Sequence, residues 1–120
     1  MSFASKHNTG DNWGVDTTDY TYVSCKEAFE KNGKDFVYPL RGLFINKKNN
    51  SEYGPSNVII TSDADGGFFL NAPNNWLSMF EEILKSDEDI EAIKNEKVGF
   101  TIKQFKAHGR LCHCPYWLDL

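Results

Sequence analysis

Cations and flat rings interleaved along one strand are the chemistry this sequence displays most openly. Val98, Phe100 and Ile102 alternate with Lys97, Thr101 and Lys103, the period-two signature of a strand with one buried face. With the apolar set inward, Lys97, Thr101, Lys103 and Phe105 share the outward face, a platform of two cations and one ring. A single nucleic-acid strand suits such a platform, because cations track its phosphates and each base stacked on a ring contributes about 1–3 kcal/mol. Phe105 is the sharpest indication, since an aromatic on a lysine-bearing face has no core to fill. Packing under an N-terminal arm or in a dimer contact accounts for it equally well. Lys106 and Arg110 prolong the basic stretch, which meets no acid between Glu96 and Asp119.

Other residues offer the same chemistry with less definition. Arg41 lies in the run FVYPLRGLFIN and is a phosphate candidate, although a bulge at Gly42 leaves its direction open. Tyr53 follows Lys47 and Lys48 in a turn-rich segment, a basic and aromatic loop of the kind that closes over a strand, or simply a solubilising turn. Phe68 and Phe69 are neighbours in a predicted strand, so one points out. Parity alone does not choose between them, and Phe69 stands as the stacking candidate. Tyr116 and Trp117 alternate in the last strand in the same way, and both are candidates. Trp76 is expected to anchor a helix rather than stack a base.

Ligand and catalytic chemistry find less support. His108, Cys112, His113 and Cys114 are the only cluster with metal-binding groups, but paired cysteines in structural zinc sites are typically separated by two to four residues. Cys112 and Cys114 are one residue apart in a predicted strand, with His113 pointing the opposite way, so neither a metal nor another cofactor is expected. The spacing is not that of a redox pair, and three cysteines make a poor disulfide framework, which suits a reducing compartment. No phosphate-binding loop, zinc-protease or nucleophile-elbow motif is present. Asp63 and Asp65 lack the further ligands of a calcium loop. The chain reads as a binding module, not an enzyme.

These residues must be positioned by one small domain. The 120 residues are enough to bury roughly two thirds of the surface of the unfolded chain around one core, and argue against a two-domain enzyme. Residues 1–20, polar with scattered Phe3 and Trp13, are expected to be a flexible arm or a strap at the domain edge, and residues 21–120 the domain. Within it, strands are predicted over Phe36–Asn46, Asn57–Ser62, Gly67–Asn71, from Val98, and over Arg110–Leu118 beyond a turn at Gly109. A helix is opened by Pro73-Asn74-Asn75 and carries Trp76, Leu77, Phe80, Ile83 and Leu84 on its apolar face; Ser86-Asp87 restarts it as far as Asn95. Thr21–Val23 adds a short strand and Lys26–Lys31 a helical turn. Five strands with a helix between the third and fourth is the order of an OB-fold. The predicted fold class is therefore all-β with one helix, a five-stranded Greek-key barrel; an α+β domain with an open antiparallel sheet is the alternative. The net charge of -4 hides a segregation. Seven acids and two bases lie between Glu81 and Glu96, and the remaining residues carry 11 bases against 10 acids.

The phrases YPLRGLFIN, NVIITSD, FFLNAPNNWLSMFEEIL and KVGFTIKQF resemble the small single-stranded DNA-binding proteins encoded by phages of lactic-acid bacteria. The likeness covers the chain from about Phe36 onward. It implies an OB-fold, sequence-independent coating of single-stranded DNA in phage replication or recombination, and the cytoplasm of a bacterial host as its place of action. A homodimer and contacts with replication or recombination proteins are further expectations. The acidic total and the short C-terminus, without a long acidic tail, depart from cellular proteins of this kind. No apolar run approaches the roughly 20 residues that span a bilayer, and a soluble, intracellular protein is expected. The alternative to strand binding is a non-enzymatic protein-interaction module on the same small barrel.

Overall fold

Val58, Ile59 and Ile60 form the most apolar run of the second predicted strand, and all three are fully buried. Neighbouring residues of a strand point to opposite faces, so this strand must be covered on both sides, and the rest of the fold supplies the two covers. The computed structural model describes residues 13–46 and 56–120. In chain order these form β1 (Tyr22–Val23), α1 (Cys25–Asn32), β2 (Tyr38–Pro39), β3 (Gly42–Asn46), β4 (Ser56–Asp63) and β5 (Gly66–Asn71). A short 3-10 turn, Asn74–Trp76, leads to α2 (Leu77–Lys85), α3 (Asp87–Lys94), β6 (Val98–Ala107) and β7 (Arg110–Asp119).

Two sheets result, ordered β1-β5-β4-β3 and β2-β6-β7. All pairs are antiparallel except β1 with β5. On one face of β4, Ile59 joins Leu43 and Leu70 in the main core, which Tyr38, Phe100 and Ile102 complete from the second sheet and Ala28, Phe80 and Ile93 from the helices. On the other face, Val58, Ile60 and Phe69 form a second cluster, sealed by Trp13, Val15, Tyr20 and Phe44. Residues 13–20 thus lie across the outer face of the first sheet as a strap. The Trp13 indole donates to the Leu43 carbonyl at 3.0 Å, and its ring occupies the space a side chain at Gly42 would need. The first twelve residues of the expected arm lie outside the described residues.

The predicted barrel is not formed. Among the described residues there are seven strands in two sheets, neither closed, and three α-helices; the architecture is mixed α/β, not all-β with one helix. Three local features account for the difference. The long strand expected over Phe36–Asn46 is divided: the Leu40 N–H bonds Val98 in one sheet and the Arg41 N–H bonds Ile60 in the other, so the chain changes sheets between adjacent residues. The helical turn near Lys26 is a full helix, N-capped by Ser24, whose hydroxyl oxygen accepts from the Glu27 N–H at 3.1 Å. The single interrupted helix is two, since Ser86 ends α2 and caps α3 by accepting from the Asp89 N–H. α3 then stops in a left-handed residue, Glu96 at φ 61, with Glu96 and Lys97 donating back to Ile93 and Ala92, a Schellman arrangement.

Candidate nucleic-acid interface

The β6–β7 hairpin builds the candidate surface, and its geometry follows from a two-residue turn. His108 and Gly109 both have positive φ, 53 and 75, the conformation that matches the right-handed twist of the flanking strands. Register runs from Ala107 opposite Arg110 to Val98 opposite Asp119. Residues directly opposite one another project to the same side of the ribbon. The inner side carries Phe100 with Trp117 and Ile102 with Pro115; the outer side carries Thr101 with Tyr116, Lys103 with Cys114, and Phe105 with Cys112.

On that outer side Tyr116 is 52% exposed and Phe105 46% exposed. The Lys103 ammonium sits 3.7 Å from the centroid of the Tyr116 ring, an attraction of about 0.5–1 kcal/mol at an exposed site. Lys97, Lys106 and Arg110 are exposed at the base and tip of the hairpin. Lys97, Lys103, Phe105, Lys106, Arg110 and Tyr116 thus belong to one ribbon, whose described stretch from Lys97 to Leu118 carries no acid.

The remaining candidates are placed elsewhere. Trp117 faces inward, 5.5 Å from Trp76 and 6.0 Å from Phe100 between ring centroids, and its indole N–H points at the Met79 sulfur at 3.2 Å. Phe69 is 8% exposed, covered by Tyr20, Tyr22 and Phe44, because the strap lies over the face to which it points; its chain neighbour Phe68 is buried on the opposite face, in the main core. Arg41 is exposed where the chain changes sheets, one residue past Leu40, whose N–H bonds the Val98 carbonyl at the base of the ribbon. Lys47, Lys48 and Tyr53 lie outside the described residues.

Cys25 and Asp63 are held by burial and hydrogen bonds. Burial pushes the Cys25 thiol up to about 12, with a smaller contribution from Cys114, and its S–H donates to the Asn71 carbonyl at 3.3 Å. Burial also raises Cys114. No group of three or more metal-ligating side chains occurs among the described residues. The Asp63 side chain is only 3% exposed. Its burial opposes the charge, but donors from Asn32, the Asp65 N–H and Lys31 outweigh that and hold its carboxyl below the usual range. Lys31 reaches Asp63 at 3.1 Å and Asp65 at 2.8 Å, tying α1 to the β4–β5 turn.

Sequence periodicity overlooked Phe29, Lys34 and Asp35, which border β6 beside Thr101, Lys103 and Gln104. No local pattern reveals them, since the apposition of α1 with the ribbon is non-local. No protein-family model, characterised protein or solved structure matches the chain. No described helix is long and apolar enough to cross a membrane.

Proposed function

We propose that the protein binds single-stranded DNA without sequence selection along most of its contact, coating exposed strands during replication or recombination and acting by binding alone. The observation that carries this reading is the Lys103 ammonium 3.7 Å over an exposed Tyr116 ring, with Phe105 on the same outer face. Rings that are half exposed on a cationic sheet supply what an extended strand needs, stacking surface and phosphate neutralisation. In the free protein Lys103 covers the Tyr116 face; an arriving base takes that face and the ammonium swings to the neighbouring phosphate. The reading rests on this surface and not on a barrel, which the chain does not form.

Titration with poly-dT at low salt tests it. Tyr116→Ala and Phe105→Ala are each expected to weaken binding by about 1–3 kcal/mol, roughly 5- to 150-fold. Both rings are exposed, so the variants should retain the wild-type circular dichroism and melting temperature. Absence of any wild-type binding to poly-dT at low salt would sink the reading.

A further inference from the structure

A pocket of about 380 Å³ opens beside the outer face, lined by Phe29 of α1, Lys34 and Asp35 of the following turn, and Thr101, Ile102, Lys103 and Gln104 of β6. Its volume lies within the roughly 300–1,000 Å³ typical of small-molecule sites. The pocket exists because β2 pairs with β6 only at Phe100 and Gly99. Beyond Phe100, no strand among the described residues lies against the side of β6 that faces away from β7.

The direction of the β6 peptide groups follows from two hydrogen bonds. Leu120 N–H donates to the Lys97 carbonyl and Leu40 N–H to the Val98 carbonyl. Odd-numbered residues of β6 therefore turn their peptide groups to β7, and even-numbered residues turn theirs to the β2 side. Past the end of β2, the N–H and C=O of Ile102 and Gln104 point to this side, and no backbone group among the described residues pairs with them. An unpaired strand edge is a row of donors and acceptors open to a ligand.

Resting on the strand-binding reading, we propose that this pocket receives a single nucleobase from the bound strand and favours bases bearing an exocyclic amino group over thymine. Lys103 belongs to both the pocket and the stacking face, so a strand lying on Tyr116 and Phe105 passes the pocket mouth. Phe29 supplies an apolar wall; its ring lies 5.0 Å from the His113 ring, and His113 in turn meets the Gln104 amide at 3.2 Å. Lys34 and Lys103 carry the charge that phosphates on either side of the base require. Asp35 is an exposed carboxylate without an ion-pair partner among the described residues, and a carboxylate only accepts hydrogen bonds. Adenine, cytosine and guanine bring an amino donor to it. Thymine flanks its one N–H with two carbonyl oxygens, and either would be set against the carboxylate.

Fluorescence anisotropy with a labelled 12-nucleotide dT strand and three versions carrying one central dA, dC or dG tests the proposal. The wild-type chain is expected to bind the amino-bearing versions roughly five- to tenfold more tightly than all-dT, the lower end of the discrimination of a good base contact. Asp35→Asn is expected to erase that preference while leaving dT affinity equal or higher, because a negative charge is removed. Gln104→Ala is expected to reduce it. Equal wild-type affinity for all four strands, or a preference that survives Asp35→Asn, overturns the pocket and leaves strand binding standing. Absence of binding to every strand overturns both.

Discussion

Asp63 is the residue whose environment makes the sharpest thermodynamic claim. Its carboxyl is nearly inaccessible and held below the usual range, so it contributes stability above the pKa of the unfolded chain, about 3.9. That contribution is lost as pH falls through the lowered folded value. Asp63→Asn is expected to cost about 1–3 kcal/mol at neutral pH and to flatten the decline of stability below about pH 4. Urea midpoints between pH 7 and 2 read both effects, and coincident curves for the two chains would refute them. Gly42 makes a different point. The sequence suggests a bulge there, but the chain changes sheets just before it, and Gly42 instead leaves room for the Trp13 ring, whose nearest carbon would be 2.5 Å from an added Cβ. Gly42→Ala is therefore expected to destabilise by about 1–3 kcal/mol, as overpacking does. A denaturant midpoint equal to wild type would show that the strap is dispensable.

At the scale of elements, periodicity locates what is local. The alternation from Val98 to Ile102 identifies β6 and its inner face, and the apolar stripe from Trp76 to Ile93 identifies helical chain covering the core. Which edges meet is not local, and the predicted barrel failed there. Nothing in FVYPLRGLFIN announces that Leu40 bonds one sheet and Arg41 the other. For the same reason parity assigned Phe105 and the Tyr116/Trp117 alternation, but could not foresee a strap over Phe69. β7, the outer strand of its sheet among the described residues, shows how an edge is managed. Pro115 lies opposite Ile102, an even-numbered position, so its nitrogen faces away from β6 and no ladder hydrogen bond is lost. Proline belongs on such an edge, where its missing N–H denies a template to a second chain. Pro115→Val is expected to preserve the fold and to promote self-association with rising concentration. Sedimentation velocity would reveal it, and a monomer–oligomer balance identical to wild type would remove the protective role.

Across the whole molecule, charge is divided by the second sheet. Ile93 and Ala92 of α3 and Met79 and Ile83 of α2 line a cavity with Val98 and Trp117 on its inner side, while Lys103, Phe105 and Tyr116 occupy the outer side. The net charge of -4 therefore does not describe what a strand on the outer face encounters. At physiological salt the screening length is about 8 Å, so carboxylates behind the sheet contribute little to that encounter. If Lys97, Lys103, Lys106 and Arg110 each neutralise one phosphate, log affinity should fall against log salt with a slope of about -3, given roughly -0.7 per phosphate on a single strand. Lys103→Glu combined with Arg110→Glu should reduce the slope by at least about 1.4 and weaken binding at low salt. Glu88→Gln combined with Glu91→Gln on α3 should change affinity less than about twofold, because the added charge change is screened and remote. Binding isotherms for the three chains at several salt concentrations separate local from global electrostatics. Were the α3 variant to gain as much affinity as the ribbon variant loses, net charge would govern binding and the hairpin would not be the surface that meets the strand.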